Sequence, residues 1–311
     1  MSTDSIRDCL SRREAMLAFA VACAAGPSMG AGVRRQPFKI SLAQWSLHRM
    51  LFAGELTALE FPAYAKESCG IDAVEFVNAF FKDKARDSAF MAELKQRAGD
   101  AGVACLLIMC DGEGDLGDPD DAKREQAARN HVKWLEAAKG LECNAIRVNA
   151  ASTGSFDEQQ RLAADGLRQL CELAESFGLS VLVENHGGLS SHGGWLAGVM
   201  RMVDHPLIGA LPDFGNFCMD WSRQDEPDAW YDRYKGVEEL MPFAKAVSAK
   251  SYGFDGDGNE VRTDFWRMMR IVVHSGYGGY LGIEWEGGEL SELDGVLKTR
   301  RLLEKIRSSM L

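Results

Sequence analysis

From residue 37 onward, short apolar runs alternate with longer stretches whose apolar residues recur at helical spacing. The runs are Lys39–Gln44, Ala73–Val77, Val103–Met109, Ala145–Asn149, Ser180–Glu184, Ile208–Asp213, Ala246–Ser251 and Tyr280–Trp285. Most are rich in Val, Ile and Leu without strict alternation, the pattern of parallel strands covered on both faces. Between them lie amphipathic stretches such as Asp120–Lys139, Asp157–Phe177 and Thr263–His274. Gly70, Gly102, Gly178 and Gly279 stand near helix ends just ahead of strands, where a left-handed residue stops a helix. Each repeat takes about 30 to 40 residues, as a strand–helix unit requires. Eight such units, with no G-x-G-x-x-G after the first run, predict a closed (β/α)8 TIM barrel rather than an open dinucleotide-binding sheet. No linker or low-complexity tract interrupts residues 37–311, so they form one domain.

Residues 1–31 break the pattern. Ser11-Arg12-Arg13-Glu14 is followed by an uncharged stretch from Ala15 to Ala25 and then by Gly26-Pro27-Ser28-Met29-Gly30-Ala31. A basic start, a moderately apolar centre too short for a bilayer and small residues near a cleavage point make a signal peptide. The paired arginines resemble a twin-arginine signal. An unprocessed apolar helix and lipid attachment at Cys23 are the alternatives. The signal-peptide reading predicts an exported, periplasmic protein.

Composition narrows the partners. The net charge is −11, and no run of Lys or Arg is mixed with aromatics, so nucleic acid and anionic membrane are poor candidates. Outside the leader, which holds Cys9 and Cys23, six cysteines (Cys69, Cys105, Cys110, Cys143, Cys171, Cys218) form no C-x-x-C pair and read as buried thiols.

In a barrel of this kind, chemistry sits where strands end and strand-to-helix loops begin. The fifth strand ends in Glu184-Asn185-His186, the sixth in Asp213-Phe214-Gly215-Asn216, the seventh in Ser248-Ala249-Lys250-Ser251 and the eighth in Glu284-Trp285-Glu286. Polar groups also close the first four strands: Gln44 and Trp45, Glu75, Asp111, and Arg147 with Asn149. One desolvated carboxylate is as well explained by an ion pair or a helix cap. Three at equivalent strand ends, Glu184, Asp213 and Glu284, repel one another unless a cation sits between them, and hard oxygen ligands suit Mn2+ or Mg2+. Lys250 lies two residues past Ser248, hence on the same side of its strand, where it can pair with a carboxylate, bind a hydroxyl or act as an acid or base. His186 can face the same mouth or serve its loop. Trp45, Trp195, Trp221 and Trp285 fall near these loops and suit either sugar stacking or core packing.

Leu182-Val183-Glu184-Asn185-His186, Asp213-Phe214-Gly215-Asn216 and Gly276-Tyr277-Gly278-Gly279-Tyr280-Leu281-Gly282-Ile283-Glu284 resemble the signature of the sugar phosphate isomerase/epimerase family, the xylose-isomerase-like barrels. The resemblance covers roughly residues 38–308. It implies Glu184, Asp213 and Glu284 as metal ligands; the fourth position, commonly His, falls on Ser248, which leaves Ser248, a water or the substrate as the fourth ligand, or a weakly bound metal. The family's His three residues after the Asp is Asn216 here. The leading expectation is proton abstraction next to a sugar carbonyl by Glu184 and Glu284 with Lys250 nearby, and His186, Asn216 and Trp45 are the candidate sugar contacts.

An exported protein meets free sugars more readily than sugar phosphates, so the expected activity is isomerisation or epimerisation of a non-phosphorylated sugar. Removal of the group at C1 of a 3-keto-glycoside by β-elimination is the second expectation, and a non-catalytic sugar-binding barrel the third. A DNA-repair nuclease of the endonuclease IV type would need a His-rich zinc site. Of the six histidines (His48, His131, His186, His192, His205, His274), only His186 stands on a key motif.

Overall fold

The structure, a computed structural model, describes residues 37–310. The leader assigned to residues 1–31, with Cys9 and Cys23, lies outside the described residues. Eight parallel strands form a curled sheet: β1 Lys39–Ala43, β2 Ala73–Val77, β3 Ala104–Met109, β4 Ala145–Val148, β5 Ser180–Glu184, β6 Ile208–Leu211, β7 Val247–Ser251 and β8 Tyr280–Trp285. The order is β6-β5-β4-β3-β2-β1-β8-β7. Bridges Ala210–Ala244 and Asp213–Ser248 join the two ends, and Ser248 N–H donates to Pro212 O while Phe214 N–H donates to Ser248 O. This closes the TIM barrel.

Five strands begin or end one or two residues inside their expected limits. Gln44 belongs to a 3-10 turn, Gln44–Leu47, and Asp213 joins the sheet only through its bridge. The expected helix Asp120–Lys139 is two helices, Asp121–Asn130 and Val132–Gly140, meeting at His131. There the His131 ring Nδ1 sits 2.7 Å from the Ala127 carbonyl oxygen. The stretch Asp157–Phe177 forms a helix Phe156–Ala174 opened by a Ser155/Glu158 capping box. It ends in a 3-10 turn at Gly178, whose φ is 66°.

Two apolar layers follow from the period of two along each strand. Outward side chains such as Val74, Phe76, Ile108, Ile146, Val181, Val183, Val247 and Ile283 pack under the helices. A smaller inner set, Ala43, Val77, Leu107, Met109, Ala145, Leu182, Leu211 and Ala246, fills the barrel axis. Glu184, Lys250 and Glu284 continue the inward-facing rows at the C-terminal ends. Trp195 and Trp285 are fully buried. Trp285 lies against Gly287 and Gly295 and stacks on Phe254 at 5.8 Å. Both are core residues, which removes them as sugar-stacking candidates. The six cysteines are free thiols, and burial pushes the Cys69 and Cys171 thiols up to about 12. Among the described residues no helix is long and apolar enough to cross a membrane.

Candidate active site

Glu184, Asp213 and Glu284 converge at the C-terminal mouth, each offering an oxygen within 4.8 Å of the other two. All three are buried. Strand register brings Lys250 beside Glu284, and the ammonium group sits 3.0 Å from Glu284 Oε1 and 3.3 Å from Glu286 Oε2. It also donates to Asn216 Oδ1 at 3.1 Å. Asn216 in turn donates through Nδ2 to Glu184 Oε1 at 2.8 Å, so one amide bridges the β5 carboxylate and the β7 cation. Ser248 Oγ donates to Glu284 Oε2 at 3.2 Å.

Asp213 is fixed from two sides. Its Oδ1 accepts the backbone N–H groups of Gly215 and Asn216, each at 2.8 Å. Asn185, fully buried, accepts from Asp213 N and donates to the carbonyls of Asp213 and Asn216. These bonds leave Asp213 Oδ2 without a partner, whereas Glu184 Oε2 lies against the Arg147 guanidinium. Buried carboxylate oxygens without donors are costly. The unpartnered Asp213 oxygen, within one cluster of three acids, makes a donor set that fits a hard divalent cation. Glu184, Asp213 and Glu284 would hold it, and Ser248 stands where the family carries His.

Sequence reasoning gave Arg147 no role, yet it is the second internal cation. It is buried, with Nε 2.8 Å from Glu184 Oε2 and Nη1 2.7 Å from Asp111 Oδ1. Asn149 donates to the same Asp111 oxygen at 2.7 Å. Its position at the end of β4, inward by the period of two, was readable. Its partners were not, because they lie just after β3 and on β5. Glu286 was likewise quoted without a role. It ties Lys250 to Trp45, whose Nε1 donates to Glu286 Oε1 at 2.7 Å. Glu75, read as closing β2, instead faces the barrel axis in mid-strand. Its Oε1 accepts from Ser41 Oγ at 2.6 Å.

The charges sort the acids. Burial, opposed by Arg147 and reinforced by Glu284, raises Glu184 to about 7. Burial likewise lifts Asp213 to about 7 against the pull of Lys250. Glu284 is also penalised by burial, but the charge and hydrogen bond of Lys250 outweigh it and hold the carboxyl below its ordinary value. Burial disfavours the Lys250 cation, yet Glu284, Asp213 and Glu286 together push its pKa well up. Lys250 is thus held toward its ammonium form, the form that pairs with Glu284 and Glu286. Burial opposes the Asp111 anion, but Arg147 and Asn149 bring it down to about 2. His186 is reachable by solvent at the mouth, where desolvation and then the Arg147 and Lys250 charges lower its pKa.

The fold and site together define a parallel barrel with an acidic, cation-flanked centre at its C-terminal face. The chain belongs to the xylose isomerase-like TIM barrel family, whose model matches residues 62–308. Among solved structures it is similar to a xylose isomerase-like TIM barrel protein from Mycobacterium smegmatis in complex with magnesium. That likeness has a TM-score of 0.65 and 15% identity, covering 88% of this chain and 97% of that one. It is also similar to a 3-keto-D-glucoside 4-epimerase from E. coli, with a TM-score of 0.61 and 18% identity over 87% and 99% of the two chains. A C-glycoside deglycosidase alpha subunit of Arthrobacter globiformis is 38% identical over 85 residues, which span 25% of this chain and 22% of that relative.

Proposed function

We infer that this protein is a sugar-modifying enzyme that removes a proton from the carbon next to a carbonyl of a non-phosphorylated keto sugar or keto-glycoside. Its leading outcome is epimerisation or isomerisation. The observation that carries the reading is the convergence of three buried carboxylates with a fixed ammonium held on Glu284. Lys250 keeps Glu284 ionised and oriented, so Glu284 accepts the proton at neutral pH. Glu184, with its carboxyl near 7, is suited to carry a proton and return it to the other face or the neighbouring carbon. Asn216 fixes the relative placement of the Glu184 and Lys250 groups. His186 and Trp45, at the rim, border the space where the sugar hydroxyls would lie. A divalent cation, Mn2+ or Mg2+, held by Glu184, Asp213 and Glu284 would supply Lewis-acid polarisation of the carbonyl. Export by a leader at residues 1–31 would put the reaction outside the cytoplasm, among free sugars and glycosides.

A second reading is favoured by the local match to a deglycosidase subunit. Here the proton leaves C2 of a 3-keto-glycoside, its electron pair forms the C1–C2 double bond, and the group on C1 departs with the C1 bonding pair and takes up a proton. Incubation with free ketoses and with 3-keto-glycosides, Mn2+ present, separates the readings by C3 or C4 epimers on the one hand and released aglycone on the other. Turnover of neither substrate class overturns both. Retention of sugar affinity by wild type and Glu284→Gln alike, with no turnover by wild type, identifies a binding barrel.

A further inference from the structure

Beside the acidic centre lies an aromatic ledge that the proton-transfer chemistry does not use. Trp45 follows β1, Phe52 stands on the helix His48–Ala53, and Phe80 follows β2. Their ring centroids are 6.0 Å apart for Trp45 and Phe52, 5.9 Å for Trp45 and Phe80 and 5.0 Å for Phe52 and Phe80. Phe52 is 64% exposed. Trp45 and Phe80 pack on the inner apolar lining of the barrel, so the ledge borders the mouth rather than an outer flank. It also connects to the reacting groups: Trp45 donates to Glu286, Glu286 pairs with Lys250, and Lys250 holds Glu284. Trp221, 55% exposed, follows β6, on the opposite side of the sheet order from β1 and β2.

A single exposed Phe calls for no explanation. Three mutually packed rings, one of them largely open and all bordering the mouth, are a different case. Leaving a largely exposed Phe ring in water forgoes the gain of burying its apolar surface. Aromatic rings prefer tilted or edge contacts at about 4.5–7 Å between centroids. The three existing pairs already have that spacing, and a further planar ring can join them. A sugar alone, rich in hydroxyls, is better matched by the carboxylates and amides at the centre.

We propose that the Trp45–Phe52–Phe80 ledge is a subsite for a planar aromatic group carried on C1 of the sugar, which makes the substrate an aryl or arylalkyl keto-glycoside. The proposal rests on the reading that the centre acts on a keto sugar. The aromatic group lies on the Phe52 and Phe80 faces while the ring carbons reach Glu284.

The test compares benzyl and methyl 3-keto-glucosides, whose leaving alcohols are of similar basicity, so that their ratio reports binding rather than leaving-group chemistry. A cyclohexylmethyl glycoside separates aromatic recognition from general apolar recognition. Wild-type protein is expected to favour benzyl over methyl by at least tenfold in kcat/KM, carried mainly by KM, and over cyclohexylmethyl by a smaller factor. Phe52→Ala and Phe52→Leu are expected to lower the benzyl-to-methyl ratio at least threefold, and the Leu variant guards against a simple loss of packing. Calorimetric titration of both glycosides into Glu284→Gln gives the same comparison without turnover. Equal affinity for benzyl and methyl, a ratio unmoved in both Phe52 variants, or no binding of the benzyl glycoside each overturns the subsite. A benzyl preference in binding together with no wild-type turnover upholds the subsite and overturns the catalytic reading instead.

Discussion

Glu75 offers the sharpest quantitative test of the barrel interior. The carboxyl faces the axis and is 1% exposed. Ser41 Oγ donates to Oε1, while Oε2 has no partner. It fits there because residue 282 is glycine: a Cβ at that position would stand 2.6 Å from both carboxyl oxygens. Burial is the main cause of its raised pKa, Ser41 opposes it, Glu284 and Glu184 add to it, and the result is about 7 against an ordinary 4.5. The difference, 7 − 4.5 = 2.5 pH units, corresponds to about 3 kcal/mol at about 1.36 kcal/mol per unit. The sign follows from which state holds the proton. Below pH 4.5 the group is protonated folded and unfolded, and no penalty arises. Between 4.5 and 7 the unfolded chain sheds the proton while the folded chain keeps it, so stability falls as pH rises. Above 7 the full penalty is present. Glu75→Gln removes the titration and keeps an acceptor for Ser41, at the cost of about 1 kcal/mol for an unpaired amide N–H. Net, the variant should exceed wild type by about 2 kcal/mol at pH 8 and fall slightly below it at pH 4.5. Urea unfolding followed by tryptophan fluorescence, with chelator present, measures this at pH 4.5, 6 and 8. A variant whose stability runs parallel to wild type across that window, or that is weaker at pH 8, refutes a buried neutral Glu75.

Three further outcomes follow from the carboxylate centre. Millimolar Mn2+ should raise the melting temperature of the wild type and leave Asp213→Asn unmoved, since that change replaces a partnerless ligand oxygen; an equal rise in both would remove Asp213 from the cation site. Ser248→His restores the imidazole common in the family and should tighten Mn2+ binding about tenfold by calorimetry, roughly 1.4 kcal/mol; unchanged affinity would show that β7 does not reach the cation. Lys250→Met strips Glu284 and Glu286 of their shared cation and should cost about 3–5 kcal/mol of unfolding free energy, with kcat falling at least a hundredfold; a loss below about 1 kcal/mol would contradict the tight pairing.

What was legible in the chain and what was not divides along sequence separation. The eight strands were readable because most are short runs rich in Val, Ile and Leu, a pattern that needs no partner to be seen. Glu184, Asp213 and Glu284 were readable for a related reason: each is a charge ending an apolar run, and the barrel rule says where strand ends meet. The break at His131 was not, because Asp120–Lys139 is uniformly helix-forming and the ring's bond to Ala127 becomes visible only in the folded chain. The tryptophans show the same limit. Trp45 and Trp285 both stand at strand ends, yet one reaches Glu286 at the mouth while the other is buried beside Gly295 under a helix. Period-two counting separates them only once the inward parity of β1 and β8 is known. Inward parity also brings Glu75 to the axis from residue 77, which lines the same interior. Its surroundings there come from Ser41, which donates to it, and Gly282, which leaves it room; the two are more than 200 residues apart in sequence and paired across β1 and β8. The departures Ser248 and Asn216 from the family pattern looked in the sequence like losses. In the fold each makes a bond to a site carboxylate, Ser248 to Glu284 and Asn216 to Glu184.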